Sequence, residues 1–125
     1  MANIEKHIGI WKFCAKTILE YVFLLDFHPE LIHQYKNQIP LMWELLPETR
    51  YIGEVGLDFV DKTHKAEQLS FFSELIERCR YDGSKILTIH SRQAVKEVLE
   101  IIGHNFRFKP IYIGLQEIRT RLLVL

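Results

Sequence analysis

The chain has 125 residues, with 16 basic and 16 acidic side chains and a formal net charge of zero; it has the length of one ordinary domain and enough residues for a real core. Balanced charge argues against a nucleic-acid binder that works by electrostatics alone, which carries a basic excess, but leaves room for a nuclease whose metal ions supply the positive charge. No apolar run reaches the roughly 18 residues that a membrane span needs, and the N-terminus lacks the basic flank, apolar core and small-residue cleavage site of a secretory signal. The two cysteines, Cys14 and Cys79, lie far apart, each within an apolar helical pattern. Buried free thiols in a reducing, cytoplasmic setting are the expectation, and nothing supports a disulfide.

In chain order, Ile4, Ile8, Trp11, Ala15 and Ile18 recur at helical spacing, which predicts an amphipathic helix over residues 3–19 with Gly9 as its weak point. Tyr21–Leu25 is an apolar run of strand length that ends in Asp26-Phe27-His28-Pro29. Pro29 keeps His28 out of helical geometry and suits the first turn of a new helix. Leu31, Tyr35 and Ile39 continue that helix to Pro40, which is expected to break or kink it; Leu41–Leu46 follows as a short helical piece closed by Pro47. His28 sits at a strand-to-helix junction, where it either caps the helix or faces a pocket; capping is the commoner role.

Tyr51–Phe59, reading Y-I-G-E-V-G-L-D-F, is the stretch around which the chain is organised. It has the apolar residues of a buried strand, yet Glu54 lies in its middle and Asp58 near its end. A carboxylate in an apolar run is costly to bury unless paired, hydrogen-bonded or metal-bound. Strict alternation puts Ile52, Glu54, Gly56 and Asp58 on one face and Gly53, Val55 and Leu57 on the other. A salt-bridged carboxylate in a loop is the ordinary reading for Asp58; for Glu54 it ranks second. Val60–Lys65 is a polar loop. Leu69, Phe72, Leu75, Ile76 and Cys79 form the clearest helical stripe, ended by Asp82-Gly83. Lys85–His90 is the next strand, with Ile86, Thr88 and His90 on one face. Ser91 is placed to cap the following helix, which carries Ala94, Val95, Val98, Leu99 and Ile102 and stops at Gly103. Pro110–Leu115 is the last strand, and Arg119–Leu125 is basic and then apolar. Helices alternating with short buried strands predict an α/β fold with a parallel sheet. Gly53-x-x-Gly56 lies within a strand and does not open a helix, so a dinucleotide site is a weak reading.

Taken together, Tyr51–Phe59 with Gln68 and Phe72, Ile89-His90-Ser91-Arg92 with Ala94, and the preceding Phe27-His28-Pro29-Glu30 resemble the TatD family of metal-dependent deoxyribonucleases. The match runs from about Phe27 to Ile102, and its motifs are specific as a set, not singly. The resemblance implies a (β/α)₈ barrel and hydrolysis of phosphodiester bonds in DNA with divalent metal, Mg²⁺, Mn²⁺ or Zn²⁺. It implies that Glu54 is the catalytic, metal-bridging carboxylate, that His90 is a metal ligand, and that Arg92 lies at the mouth of the site, where it and His28 would contact substrate.

The chain also departs from that pattern. No His-x-His pair occurs anywhere, Pro110–Leu115 contains no histidine, and Asp26 stands where the family has glycine before Phe-His-Pro. A barrel of this kind takes about 250 residues, so a single partial domain over residues 1–125, of about four βα units, is expected: a truncated member. With Glu54 and His90 nearly alone, metal is expected to be held weakly and the isolated chain to hydrolyse DNA poorly. A rebuilt site drawing on Asp58, His28 and His64 would compete with that expectation. The second functional reading is a non-catalytic barrel remnant, dependent on a partner or self-associating through its open sheet edges.

Overall fold

Six strands form one sheet in the computed structural model, which describes residues 2–7, 10–16 and 21–113, with side chains from residue 25 to residue 113. The strands are β1 (Ala2–His7), β2 (Ile10–Lys16), β3 (Tyr21–Asp26), β4 (Tyr51–Asp58), β5 (Ile86–Arg92) and β6 (Lys109–Tyr112), side by side in chain order. The helices are α1 (Ile39–Leu45), α2 (Lys65–Cys79) and α3 (Val95–Ile102). β3 to β6 are parallel neighbours, as the alternation of elements predicts. The fold is therefore α/β and consistent with a partial (β/α)₈ barrel whose sheet does not close.

The N-terminal helix is not there. β1 and β2 pair antiparallel, and β2 pairs antiparallel with β3. The apolar residues fit two periods at once: Ile4, Ile8, Trp11 and Ala15 follow helical spacing, whereas Trp11, Phe13 and Ala15 alternate as in a strand. Ile10, Trp11 and Phe13 are residue types that strands favour, and the neighbouring β3 edge decides for them. The remainder of that expected helix after Lys16, the end of the last expected strand and the Arg119–Leu125 tail lie outside the described residues, as does the side chain of Cys14.

Two local expectations also change. Pro40 does not break a helix begun at Leu31. Pro29–Leu31 and Lys36–Gln38 are separate 3₁₀ turns, and α1 starts at Ile39 with Pro40 in its first turn, where a missing N–H is no loss. Ser91 does not cap α3, because β5 continues to Arg92 and Ala94 takes the cap position. Instead Ser91 lies opposite Leu57 in the β4–β5 register and is buried, its Oγ without a partner among the described residues.

β5 alternates as a strand with one covered face must: Leu87, Ile89 and Ser91 are buried, while Ile86, Thr88 and His90 are only half-buried. On the covered side lie Phe72, Leu75, Ile76 and Cys79 of α2 and Val98 and Ile102 of α3. α2 and α3 are fastened by Arg80, whose guanidinium donates to the carbonyls of Ile101, Ile102 and Asn105 at 2.8–3.0 Å. That satisfies carbonyls left over at the end of α3 and places a cation at the negative end of its dipole. Gly103, at φ 66°, supplies the left-handed residue that stops α3. At the start of β5, the buried ammonium of Lys85 donates to the carbonyls of Leu46 and Thr49 at 2.7 and 2.6 Å. No helix of the described residues is long and apolar enough to cross a membrane.

Candidate active site

The centre of the site is made by an irregularity in β4. Ile52 lies opposite Leu87 and Val55 opposite Ile89, so Gly53 and Glu54 together face a single residue, Thr88. This extra residue is a bulge. It puts Ile52 and Val55 on the same buried face, correcting the strict alternation that grouped Ile52 with Glu54. Both apolar residues pack into the core, at 1% and 0% exposure, and Glu54 is turned to the half-open face. Gly53 makes the bulge fit: a Cβ there would lie 2.7 Å from Cβ of Thr88. Further on, Gly56 (φ +140°) faces His90, and a Cβ at Gly56 would collide with the carbonyl oxygen of His90. The close approach of β4 to β5 at His90 thus depends on glycine.

Glu54 and His90 converge there. His90 Nδ1 lies 2.7 Å from Glu54 Oε1, and His90 Nε2 lies 3.0 Å from Asp58 Oδ2. Asp58 is not the loop carboxylate of the ordinary reading. It ends β4, is buried, and its other oxygen accepts the Val60 amide. Its backbone is locked by Gln68 of α2. The Asp58 amide donates to Gln68 Oε1 at 2.8 Å, and Gln68 Nε2 donates to the Asp58 carbonyl at 3.0 Å. An imidazole with a carboxylate on one nitrogen keeps its proton on that side and leaves the other nitrogen as a lone-pair donor. Both ring nitrogens of His90 therefore have a carboxylate within hydrogen-bonding range; with its proton held at Nε2 by Asp58, Nδ1 is the nitrogen that a metal shared with Glu54 would take.

His28 sits beside them, its ring centroid 4.7 Å from that of His90 and its Nε2 3.6 Å from Glu54 Oε1. The ligand atoms of His28, Glu54 and His90 all fall within 4.8 Å of one another. The tautomer of His28 separates its role from that of His90. The Glu30 amide donates to His28 Nδ1 at 3.2 Å, so the ring proton of the neutral form is on Nε2, the atom that points at Glu54. In this state His28 is both the cap of the 3₁₀ turn and a hydrogen-bond donor into the site. Arg92 is exposed at the carboxyl end of β5, opposite Asp58 in the register. His64 does not join this group; it lies with His33 and Glu67.

Asp26 is the participant that the sequence does not announce. Its carboxylate lies beside the Glu54 backbone amide and near the charges of Glu54 and His28. Burial pushes its pKa above the ordinary carboxylate value, outweighing the pull of that amide and of His28. Asp26 Oδ1 is buried without a partner among the described residues. The available signal was spacing: in Asp26-Phe27-His28 the two polar residues alternate around a fully buried phenylalanine.

These donors suit a divalent metal ion: an imidazole nitrogen, a half-exposed carboxylate and an orphaned carboxylate oxygen nearby. Nitrogen with oxygen ligands matches zinc or manganese better than a site of oxygens alone would. Among curated proteins none matches this chain. A family model described as TatD related DNase matches residues 2–112. That span holds β1 to β6 and every residue of the site, and the chain belongs to the TatD related DNase family.

Proposed function

We propose that this chain is a metal-dependent hydrolase of phosphodiester bonds in DNA, with Glu54 and His90 as metal ligands. The observation that supports this best is the position of His90 between two carboxylates, one placed to orient the ring and the other beside the nitrogen that a metal would take. A bound divalent ion supplies Lewis-acid polarisation of the phosphoryl oxygen. The chain's own groups do the rest. Glu54 contributes negative charge at the ion, and Asp58 keeps His90 in the ligating tautomer. The Nε2–H of His28 donates to a phosphate oxygen, and the Arg92 guanidinium at the mouth neutralises the strand and reads phosphate geometry.

Few donors are gathered here, so the ion is held weakly and turnover is slow. The test is nucleotide release from single-stranded DNA with Mg²⁺, Mn²⁺ or Zn²⁺, comparing the parent with Glu54→Ala. Metal-dependent release that Glu54→Ala abolishes is the expected result. Release that survives Glu54→Ala, or none at saturating metal, would overturn the reading. Self-association through an open sheet edge belongs to the same proposal, with its surface at β6, where Ile111 and Ile113 are exposed.

A further inference from the structure

Two members of a second group of ligating side chains, His33 and His64, share a cleft with Asp58. The cleft holds about 230 Å³, and its lining includes His33, Asp58, Asp61, His64 and Gln68. At its rim, His33 Nδ1 is 2.8 Å from Glu67 Oε1, and His64 Nδ1 is 3.7 Å from the same oxygen. The two imidazoles lie face to face, with centroids 3.5 Å apart and planes 4° from parallel. The ligand atoms of all three residues fall within 4.8 Å of one another.

Hydrogen bonding inside the protein accounts for only part of this arrangement. Glu67 Oε1 takes a short bond from His33, but His64 at 3.7 Å is beyond hydrogen-bonding range. Glu67 Oε2 is buried and has no partner among the described residues. The two imidazole nitrogens and the carboxylate thus lie close together, and only one of their pairings is satisfied. The rings are stacked, so one ring swings out of the stack before a single cation can satisfy all three. No hydrogen bond engages Nε2 of either ring among the described residues, so each ring can carry its proton there and free Nδ1. His64 and Glu67 are three residues apart at the start of α2 and lie on one side of it. Two imidazoles with one carboxylate, leaving one position open, is a zinc ligand set.

We infer that His33, His64 and Glu67 form a second metal site of the zinc class, sharing no ligand with the Glu54–His90 group. Its ion ties the segment that follows β3, which carries His33, to the first turn of α2. It acts as a clamp between two connections at the carboxyl ends of adjacent strands, and Asp58 lies on the wall of the cleft beside it.

The experiment is a zinc titration of the purified 125-residue chain against a chromophoric chelator, with thermal unfolding followed in parallel. His33→Asn, His64→Asn and Glu67→Gln should each weaken one class of zinc binding by at least about tenfold, since loss of a mere supporting group costs about 10–100-fold. The Glu54→Gln/His90→Asn double variant should retain that class. Zinc should raise the Tm of the parent and of the double variant, but not that of His64→Asn. Unchanged zinc binding in His64→Asn and Glu67→Gln would overturn the inference, as would loss of all zinc binding in the double variant. Ring resonances of the parent give a check that needs no variant: zinc should shift those of His33 and His64, and shifts confined to His28 and His90 would overturn it.

Discussion

Asp58 Oδ2 lies 3.0 Å from Nε2 of His90, which leaves Nδ1, the nitrogen beside Glu54, as the one for a metal. Replacing Asp58 by Asn substitutes an amide that can donate to Nε2 and so drive the ring proton to Nδ1. We expect Asp58→Asn to move the His90 ring nitrogen resonances to the other tautomer and to weaken metal binding at Glu54 by about 10–100-fold. Unchanged ring shifts together with unchanged affinity would show that Asp58 is no more than a neighbour.

Gly56 sets the distance between β4 and β5. Gly56→Ala meets both a backbone at φ +140° and the carbonyl of His90, so a loss of at least about 1–3 kcal/mol is expected in urea unfolding. Gly83→Ala is the control. A Cβ there would come no nearer than 3.8 Å to anything but its chain neighbours, and the change should stay within about 0.5 kcal/mol. Equal effects at the two positions would remove the case for a close approach.

Lys85 is a structural cation. Its ammonium donates to two carbonyls from the turn that closes α1, and its side chain is only 5% exposed. Lys85→Met keeps the stem and strands both carbonyls, at a cost of about 2–4 kcal/mol. Denaturant midpoints measure this directly, and a loss below about 0.5 kcal/mol would mean that water replaces the ammonium.

Cys79 has no exposure to solvent, and burial pushes its thiol up to about 12 from the ordinary 9.0. In a Cys14→Ser background, a thiol reagent at pH 8 should label the unfolded chain quickly and the folded chain only as fast as it opens. The linkage has a definite sign. The folded thiol keeps its proton where the unfolded thiol releases it, so this group's contribution to stability is present below pH 9.0 and is lost as pH rises toward about 12. Labelling of native protein at the unfolded rate would contradict the burial.

The parallel half of the sheet was legible because each strand there is a short apolar run followed by an amphipathic helix or a proline-marked turn. The convergence of Glu54 and His90 was legible for a narrower reason: each stood polar on a strand whose other face was apolar. Three things were not legible. The β1–β2 hairpin shares its apolar spacing with a helix, and only pairing to β3 decides it. The bulge at Gly53-Glu54 changes which neighbours share a face without changing composition, so alternation misplaced Ile52. Asp26 and Asp58 looked like ordinary turn carboxylates because their roles arise from groups distant in sequence. For Asp58 that group is His90, and for Asp26 it is the amide of Glu54.

The pair of hydrogen bonds between the Gln68 side chain and the backbone of Asp58 has a consequence for how the molecule tolerates change. A side-chain amide that donates and accepts at once behaves like one rung of a neighbouring strand, and it fits a single rotation and a single height of α2. The helix is therefore indexed to the strand through this rung and not through the chain that joins them. Insertions or deletions in the exposed stretch from Val60 to Thr63 can be taken up there while Asp58, and the imidazole it aims, stay where they are. A change of one residue inside α2 before Gln68 has no such outlet, and its first effect would be felt at His90.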